Sequence, residues 1–194
     1  MKKFLLSLIS VLLACVSFTF AACAPKTEYD DKEVVKIETA YYGGYVLIDS
    51  HPTRTFNFEA GTVTDELILD ETWMQSLQDE YIRDPECFPE YENLEAYERY
   101  LQDTYNRPIQ IADFSKEDAE KFLKKIKSQS IYTWKDKYDT GNVDDYSWSY
   151  VEITFSDGTV KRTDFYYDKP ANYKRIRKSF EKYLGVDMMW NGSI

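Results

Sequence analysis

One histidine, three cysteines and seven glycines are a thin supply for 194 residues, and each shortage closes off a class of chemistry. His51 is the lone imidazole, set in the turn-like Asp49-Ser50-His51-Pro52. A serine nucleophile needs a base and an oriented carboxylate, and no serine here sits in a glycine-flanked elbow. A zinc centre wants three or four His, Cys or carboxylate ligands, which one histidine and so few thiols supply poorly. No phosphate-binding loop is present, and Gly43-Gly44 lacks the spacing of a dinucleotide fingerprint. Basic residues are also in the minority: 24 Lys and Arg against 34 Asp and Glu give a formal charge of −10. A surface of that sign repels phosphate backbones, so nucleic acid is not an expected partner. No segment repeats at a fixed period and none is of low complexity.

The chain begins with a basic head, Lys2-Lys3, followed by an uncharged run from Phe4 to Phe20 and small residues at Ala21, Ala22, Cys23 and Ala24. That order is a secretory signal, expected over residues 1–22, and not a piece of the fold. The run is slightly short of the roughly 20 apolar residues a permanent span needs. It is also interrupted by Ser7, Ser10, Ser17 and Thr19.

The exit Phe20-Ala21-Ala22-Cys23 resembles the processing site of bacterial lipoproteins, where two small residues precede a cysteine that is lipidated on sulfur. The commonest residue of that family in the place of Phe20 is Leu. The resemblance implies that Cys23 becomes the first mature residue and attaches the chain to the outer face of the cell membrane. Leu12-Leu13-Ala14-Cys15 has a better first letter. Processing there would leave an apolar core of only Phe4–Val11 and expose Val16, Phe18 and Phe20, so Cys23 is preferred. Ordinary cleavage using Ala22 and Ala24 would put Pro25 just after the cut. Two acyl chains on one cysteine hold a protein stably, at about 0.8 kcal/mol per buried CH2.

Removal of residues 1–22 leaves 172 residues, enough for one domain with a substantial core. It also takes two lysines, moving the charge from −10 to −12. With Cys15 removed and Cys23 lipidated, only Cys87 remains. No intramolecular disulfide can then form, and stability must come from packing. Cys87 lies in Asp84-Pro85-Glu86-Cys87-Phe88-Pro89, where acidic neighbours raise a thiol pKa and disfavour a nucleophile. Its expected role is that of a half-buried loop residue.

Residues 23–33 read as the lipidated cysteine and a polar tether, of which Ala24–Glu33 reaches at most about 33–36 Å when extended. Residues 34–190 form the expected domain. Val34–Ala40 alternates as a strand, Tyr41-Tyr42-Gly43-Gly44 is a turn or bulge, Tyr45–Ile48 resumes as strand and Asp49–Pro52 breaks it. Thr55–Glu59 alternates around Phe56 and Phe58, Ala60-Gly61 turns and Thr62–Asp65 returns. Trp73, Met74, Leu77 and Tyr81 share a helix face near Glu71–Ile82. A second helix is expected over Glu90–Tyr105, stopped by Arg107-Pro108. Ser115-Lys116-Glu117-Asp118 resembles a capping box and opens a helix over Lys116–Ser128, with Ala119, Phe122, Leu123 and Ile126 as its stripe. Trp134–Asp139 leads into a loop.

Ser147–Phe155 and Thr159–Tyr167 then alternate about Ser156-Asp157-Gly158, a hairpin. A two-residue turn would set Phe155 opposite Val160 and Tyr150 opposite Phe165. A three-residue turn with Gly158 left-handed would set Glu152 opposite Arg162. The letters admit both. Pro170 opens a last helix whose Tyr173, Ile176, Phe180, Tyr183 and Leu184 share a face, closed by Gly185. Strands, helices, a hairpin and a helix without regular β-α-β alternation predict an α+β fold. The expected form is an antiparallel sheet with helices mainly on one face, ending in a C-terminal β-hairpin and a terminal helix. From Phe114 to Gly185 this order is similar to a recurring module of uncharacterised bacterial surface lipoproteins. The similarity rests on turn and packing residues and implies fold alone.

Seventeen Tyr, 11 Phe and 4 Trp suit a mixed core and half-exposed sheet or, as the alternative, a surface for sugars or peptides. The ligand-binding candidates are Trp148, Tyr150, Phe165 and Tyr167, with Tyr166 beside them, and Tyr41, Tyr42 and Tyr45 near the glycine pair. Sheet packing is the competing role for each. Asp136, Asp139, Asn142, Asp144 and Asp145 gather oxygen ligands around Gly141 but miss the EF-hand spacing, so a solvated loop is expected there. No cofactor and no metal are expected. The reading is a membrane-anchored, non-enzymatic binding or scaffolding module with a protein or glycan partner. Two alternatives stay open: a cell-wall or glycan hydrolase with an unidentified carboxylate pair, and a regulator of an exported enzyme that uses the loop at Asp84–Glu90.

Overall fold

The computed structural model describes residues 26–42, 50–69, 71–139, 148–166 and 168–189. The chain divides into two compact units, residues 1–31 and 32–194. In the first, the Thr27 amide donates to Asp30 Oδ2 at 2.5 Å and closes a turn.

The second unit is an α+β fold built on a seven-stranded sheet ordered β4-β3-β2-β1-β6-β7-β5. Its central strand β1 (Val34–Tyr42) pairs antiparallel with β2 (Ser50–Asn57) and β6 (Trp148–Phe155). On one side β3 (Thr62–Leu69) and β4 (Ile109–Asp113) follow. On the other come β7 (Val160–Phe165) and the two-residue β5 (Lys137–Tyr138), which runs parallel to β7.

Period-two side-chain alternation sorts the sheet into two faces. The inner face carries Ile37, Phe56, Val63, Val151, Ile153 and Phe165, all at most 2% exposed. Helices α3 (Lys116–Ser128) and α4 (Tyr173–Leu184) cover it. Phe180 of α4 packs edge-on against Phe56 at 4.7 Å and Phe122 of α3 at 4.6 Å. Phe165 is enclosed by Trp134 and Tyr173. The Trp134 indole N–H donates to Asn172 Oδ1 at 2.8 Å, and the Asn172 amide donates to the Gln129 carbonyl at the end of α3. One asparagine thereby satisfies polar groups of two core elements. Burial pushes the Tyr173 phenol up to about 12.

The C-terminal segment is strapped to this face by polar groups. Arg54 and Asp65, 7% and 8% exposed, form a two-pronged ion pair with both N···O distances 2.6 Å. The spare Arg54 nitrogen donates to the Asp187 carbonyl at 2.7 Å, and Arg177 grips the Asp187 carboxylate from α4. Thr39 Oγ1 donates to the Met188 carbonyl at 2.6 Å.

Helices α1 (Glu71–Arg83) and α2 (Leu94–Thr104) form a hairpin arm inserted between β3 and β4. The arm has its own small core of Tyr81, Tyr97 and Leu101, with Met74, Leu77 and Phe88 around it. Its root is a clasp. Asn106, at φ 53°, donates its amide N–H to the Leu67 carbonyl at 2.9 Å. Its side chain accepts from the Leu69 N–H and donates to the Leu69 carbonyl.

Local chemistry accounts for where several expectations needed adjusting. The second helix starts at Leu94 and not at Glu90, because Asn93 caps it by accepting from the Ala96 N–H at 2.9 Å. Ser50–Pro52 does not break the chain but begins β2. The β1–β2 pairs run from Lys36↔Asn57 to Ala40↔Thr53, so Pro52 falls beyond them and interrupts none of them. Strands β4 and β5 had no recognised sequence signal, being five and two residues long. Helix α3 and its Ser115 cap, which accepts from the Asp118 N–H at 3.1 Å, lie where the sequence puts them. The expected strand at Tyr45–Ile48 lies outside the described residues.

The hairpin adopts the three-residue turn. Gly158 sits at φ +82°, its N–H donates to the Phe155 carbonyl at 2.9 Å, and Glu152 pairs with Arg162. Asp157 accepts from the Thr159 N–H and from Lys32. These bonds, the backbone one first, hold its carboxyl down to about 2. A depressed folded-state pKa stabilises above the ordinary carboxylate value and ceases to do so as pH falls through about 2. An NMR titration of the Asp157 carboxylate should therefore show a midpoint near 2. A midpoint at the ordinary carboxylate value would mean that the turn does not hold it.

Candidate binding face

The outer face of β1, β6 and β7 lies opposite α3 and α4. Its register rows are Lys36–Thr154–Val160, Glu38–Glu152–Arg162 and Ala40–Tyr150–Asp164. Ala40, Thr53 and Tyr150 are buried there, while Trp148, Glu38 and Glu152 are partly exposed.

Arg162 is the hub. Its guanidinium lies 3.8 Å from the centre of the Tyr150 ring and 5.5 Å from that of Trp148. It pairs with Asp164 at 3.1 Å and with Glu152 at 3.6 Å. The Tyr150 hydroxyl donates to Glu38 Oε1 at 2.7 Å, and Lys36 approaches the other Glu38 oxygen at 3.2 Å. Burial, then this hydrogen bond to an anion, pushes the Tyr150 phenol far above its ordinary value. It stays a neutral donor at physiological pH. Trp148 lies 5.7 Å from Tyr150 and stacks on Tyr166 at 6.1 Å and 16°. Lys137 sits 4.4 Å over the Tyr166 ring. The result is a strip of aromatic rings interleaved with fixed carboxylates and cations. It offers apolar C–H contact together with oriented donors and acceptors.

Of the residues singled out in the sequence, Trp148 and Tyr150 come together on this strip, and Tyr166 joins them. Phe165 does not. It is 1% exposed on the inner face, because the three-residue turn shifts the pairing by one position and that turns every β7 side chain over. The same shift brings Arg162 to the strip. Its pairing with Glu152 was one of the two registers the letters admitted, but its part in a site went unrecognised. Tyr167 and Tyr45 lie outside the described residues. Tyr41 is exposed on the opposite face, aligned with Ser149, and the Tyr42 backbone aligns with Trp148.

The other candidates find ordinary partners. Cys87 is exposed, and its thiol donates to Asp84 Oδ2 at 3.3 Å. That bond, then the Asp84 charge, raises its pKa, the reverse of what a nucleophile needs. Asp136 pairs with Lys161 and Asp139 with Lys137. Asn142, Asp144 and Asp145 lie outside the described residues. Among the described residues no three His, Cys, Asp or Glu are grouped to hold a metal ion. His51 aligns with Ile68 on β3. Glu38 and Glu152 are cross-strand neighbours on this face. Each is already engaged, by Tyr150 and Lys36 and by Arg162 respectively.

The architecture defines an α+β sheet protein with one helix-covered face and one aromatic, charge-laced face. No protein-family model, curated protein or solved structure matches the chain.

Proposed function

We propose that the chain is a lipid-anchored, extracytoplasmic bacterial module that binds a glycan on the outer sheet face without transforming it. The observation that carries the binding half is the pair of partly exposed rings Trp148 and Tyr166, backed by the buried Tyr150 and set among Arg162, Glu38 and Asp164. Sugars present C–H faces edged by hydroxyls, and ring faces bordered by fixed carboxylates suit both. The anchoring half rests on Phe20-Ala21-Ala22-Cys23. Among the described residues no helix is long and apolar enough to cross a membrane.

One pair of variants tests the two halves separately. In cells, Cys23→Ala chain should leave the membrane fraction, while the unaltered chain should carry a diacylated N-terminus by mass spectrometry. Calorimetric titration with soluble N-acetylhexosamine oligosaccharides should give binding that Trp148→Ala weakens by about tenfold, the scale of one lost stacking contact. Cys23→Ala should bind as before. An unlipidated mature chain would end the anchoring half. Binding indifferent to Trp148→Ala, or none at all, would end the glycan half.

A further inference from the structure

The two edges of the sheet are unlike. The β5 edge is two residues long and carries Lys137, a common guard against stray pairing. The β4 edge, Ile109-Gln110-Ile111-Ala112-Asp113, holds no charge before Asp113 and no proline, and its one irregularity is a bulge at Ile111, which β3 leaves unpaired between Val63↔Ala112 and Thr64↔Gln110. Ile109 and Ile111 are 50% and 41% exposed. Among the described residues no further strand lies beyond β4. An edge strand presents a row of backbone donors and acceptors, and the partner that satisfies them best is another extended strand.

Charge says which strand. The arm, residues 71–106, holds ten acidic and two basic residues, a net of −8 within a chain whose total is −10. The arm leaves the sheet at Leu69 and returns at Asn106, where side-chain and backbone bonds clasp the two ends together. An arm with a net charge of −8 is thus rooted just ahead of β4. Ile82 and Tyr100, 62% and 41% exposed, add apolar surface to the same arm. A second copy of the chain pairing through β4 would bring no counter-charge to the acidic arm, whereas a cationic strand supplies one.

We propose that β4 is a docking edge for an extended segment of another protein, one that alternates apolar with Lys or Arg side chains. The segment adds as an eighth strand, its apolar side chains against Ile109 and Ile111, its cations toward the arm. This contact is separate from the outer-face strip and does not depend on what that strip binds.

Hydrogen exchange on the purified full chain tests it, with synthetic nonapeptides as probes. An alternating Ile/Lys peptide should slow exchange across Ile109–Asp113 by about tenfold or more, since newly bonded edge amides are protected. An alternating Ile/Glu peptide should not, and neither should the Ile/Lys peptide N-methylated at alternate residues, which keeps its charge but loses donors. Ile111→Lys, and separately Ile109→Lys, should weaken Ile/Lys binding by about tenfold, through charge and lost apolar contact. Unchanged exchange of β4 with the Ile/Lys peptide would overturn the proposal. So would equal protection by the N-methylated peptide, or dimers through β4 in sedimentation of the chain alone.

Discussion

Replacing Asp65 by Ala should destabilise the folded chain by about 3–5 kcal/mol, the cost of leaving one member of a buried ion pair alone. The pair is enclosed, with Arg54 7% and Asp65 8% exposed. Both prongs are 2.6 Å long, so the carboxylate is the main counter-charge of that guanidinium. The Asp187 carbonyl would still accept from the third nitrogen, but a carbonyl carries no net charge. Chemical denaturation of Asp65→Ala measures the loss directly. The double variant Arg54→Met/Asp65→Leu removes both charges and should recover much of it, because apolar residues of similar volume replace a buried pair at little cost. A loss under about 1 kcal/mol in the single variant would place the pair among exposed bridges and contradict its burial.

Phe180→Ala should cost a similar amount, about 3–5 kcal/mol, by a different mechanism. Phe180 is fully buried. Its ring joins the sheet to both helices by edge-on contacts with Phe56 and Phe122. Truncation removes the transfer gain of a large ring and leaves a cavity between three elements that cannot all move into it. Tyr183, half-buried on the same helix, is the control: its truncation should cost clearly less, within the usual range of about 0.5–3 kcal/mol for single substitutions. Equal losses at the two positions would show that α4 does not deliver Phe180 to the core as described.

Much of the fold was legible because its signals are local. The Ser115 cap and the stripe Ala119, Phe122, Ile126 mark α3 within one helix, and Gly185 at φ +75° closes α4 where a left-handed residue is wanted. The hairpin was legible too, since Asp157-Gly158 separates two alternating runs. The short edge strands were not, because five or two residues carry too little periodicity to stand out. Strand β4 exists by pairing with β3, and β5 by pairing with β7.

The candidate face shows the limit most clearly. Trp148, Tyr150 and Phe165 read alike, as surface candidates with sheet packing as the competing role, and a two-residue turn would have put Tyr150 and Phe165 side by side. The actual turn has three residues. The same β7 alternation now buries Phe165 beneath Trp134 and Tyr173 and turns Arg162 out onto Tyr150. The acidic arm was likewise present as letters. The clasp of Asn106 on Leu69 and the arm's own core make those 36 residues one body rooted ahead of β4, the last described strand on that side of the sheet.

The sequence by itself determined the helices, the hairpin and several of their ends, and with them the α+β class. It also placed Phe20-Ala21-Ala22-Cys23 ahead of the fold, the basis of the proposed attachment. Caps, turn glycines and periodicity act over a few residues, so they can be read in order. The tertiary structure alone decided which face each strand residue takes, which charges meet, and which strands end the sheet among the described residues. Pairing register and strand order arise between distant segments, and one residue of shift in a two-residue period exchanges core for surface.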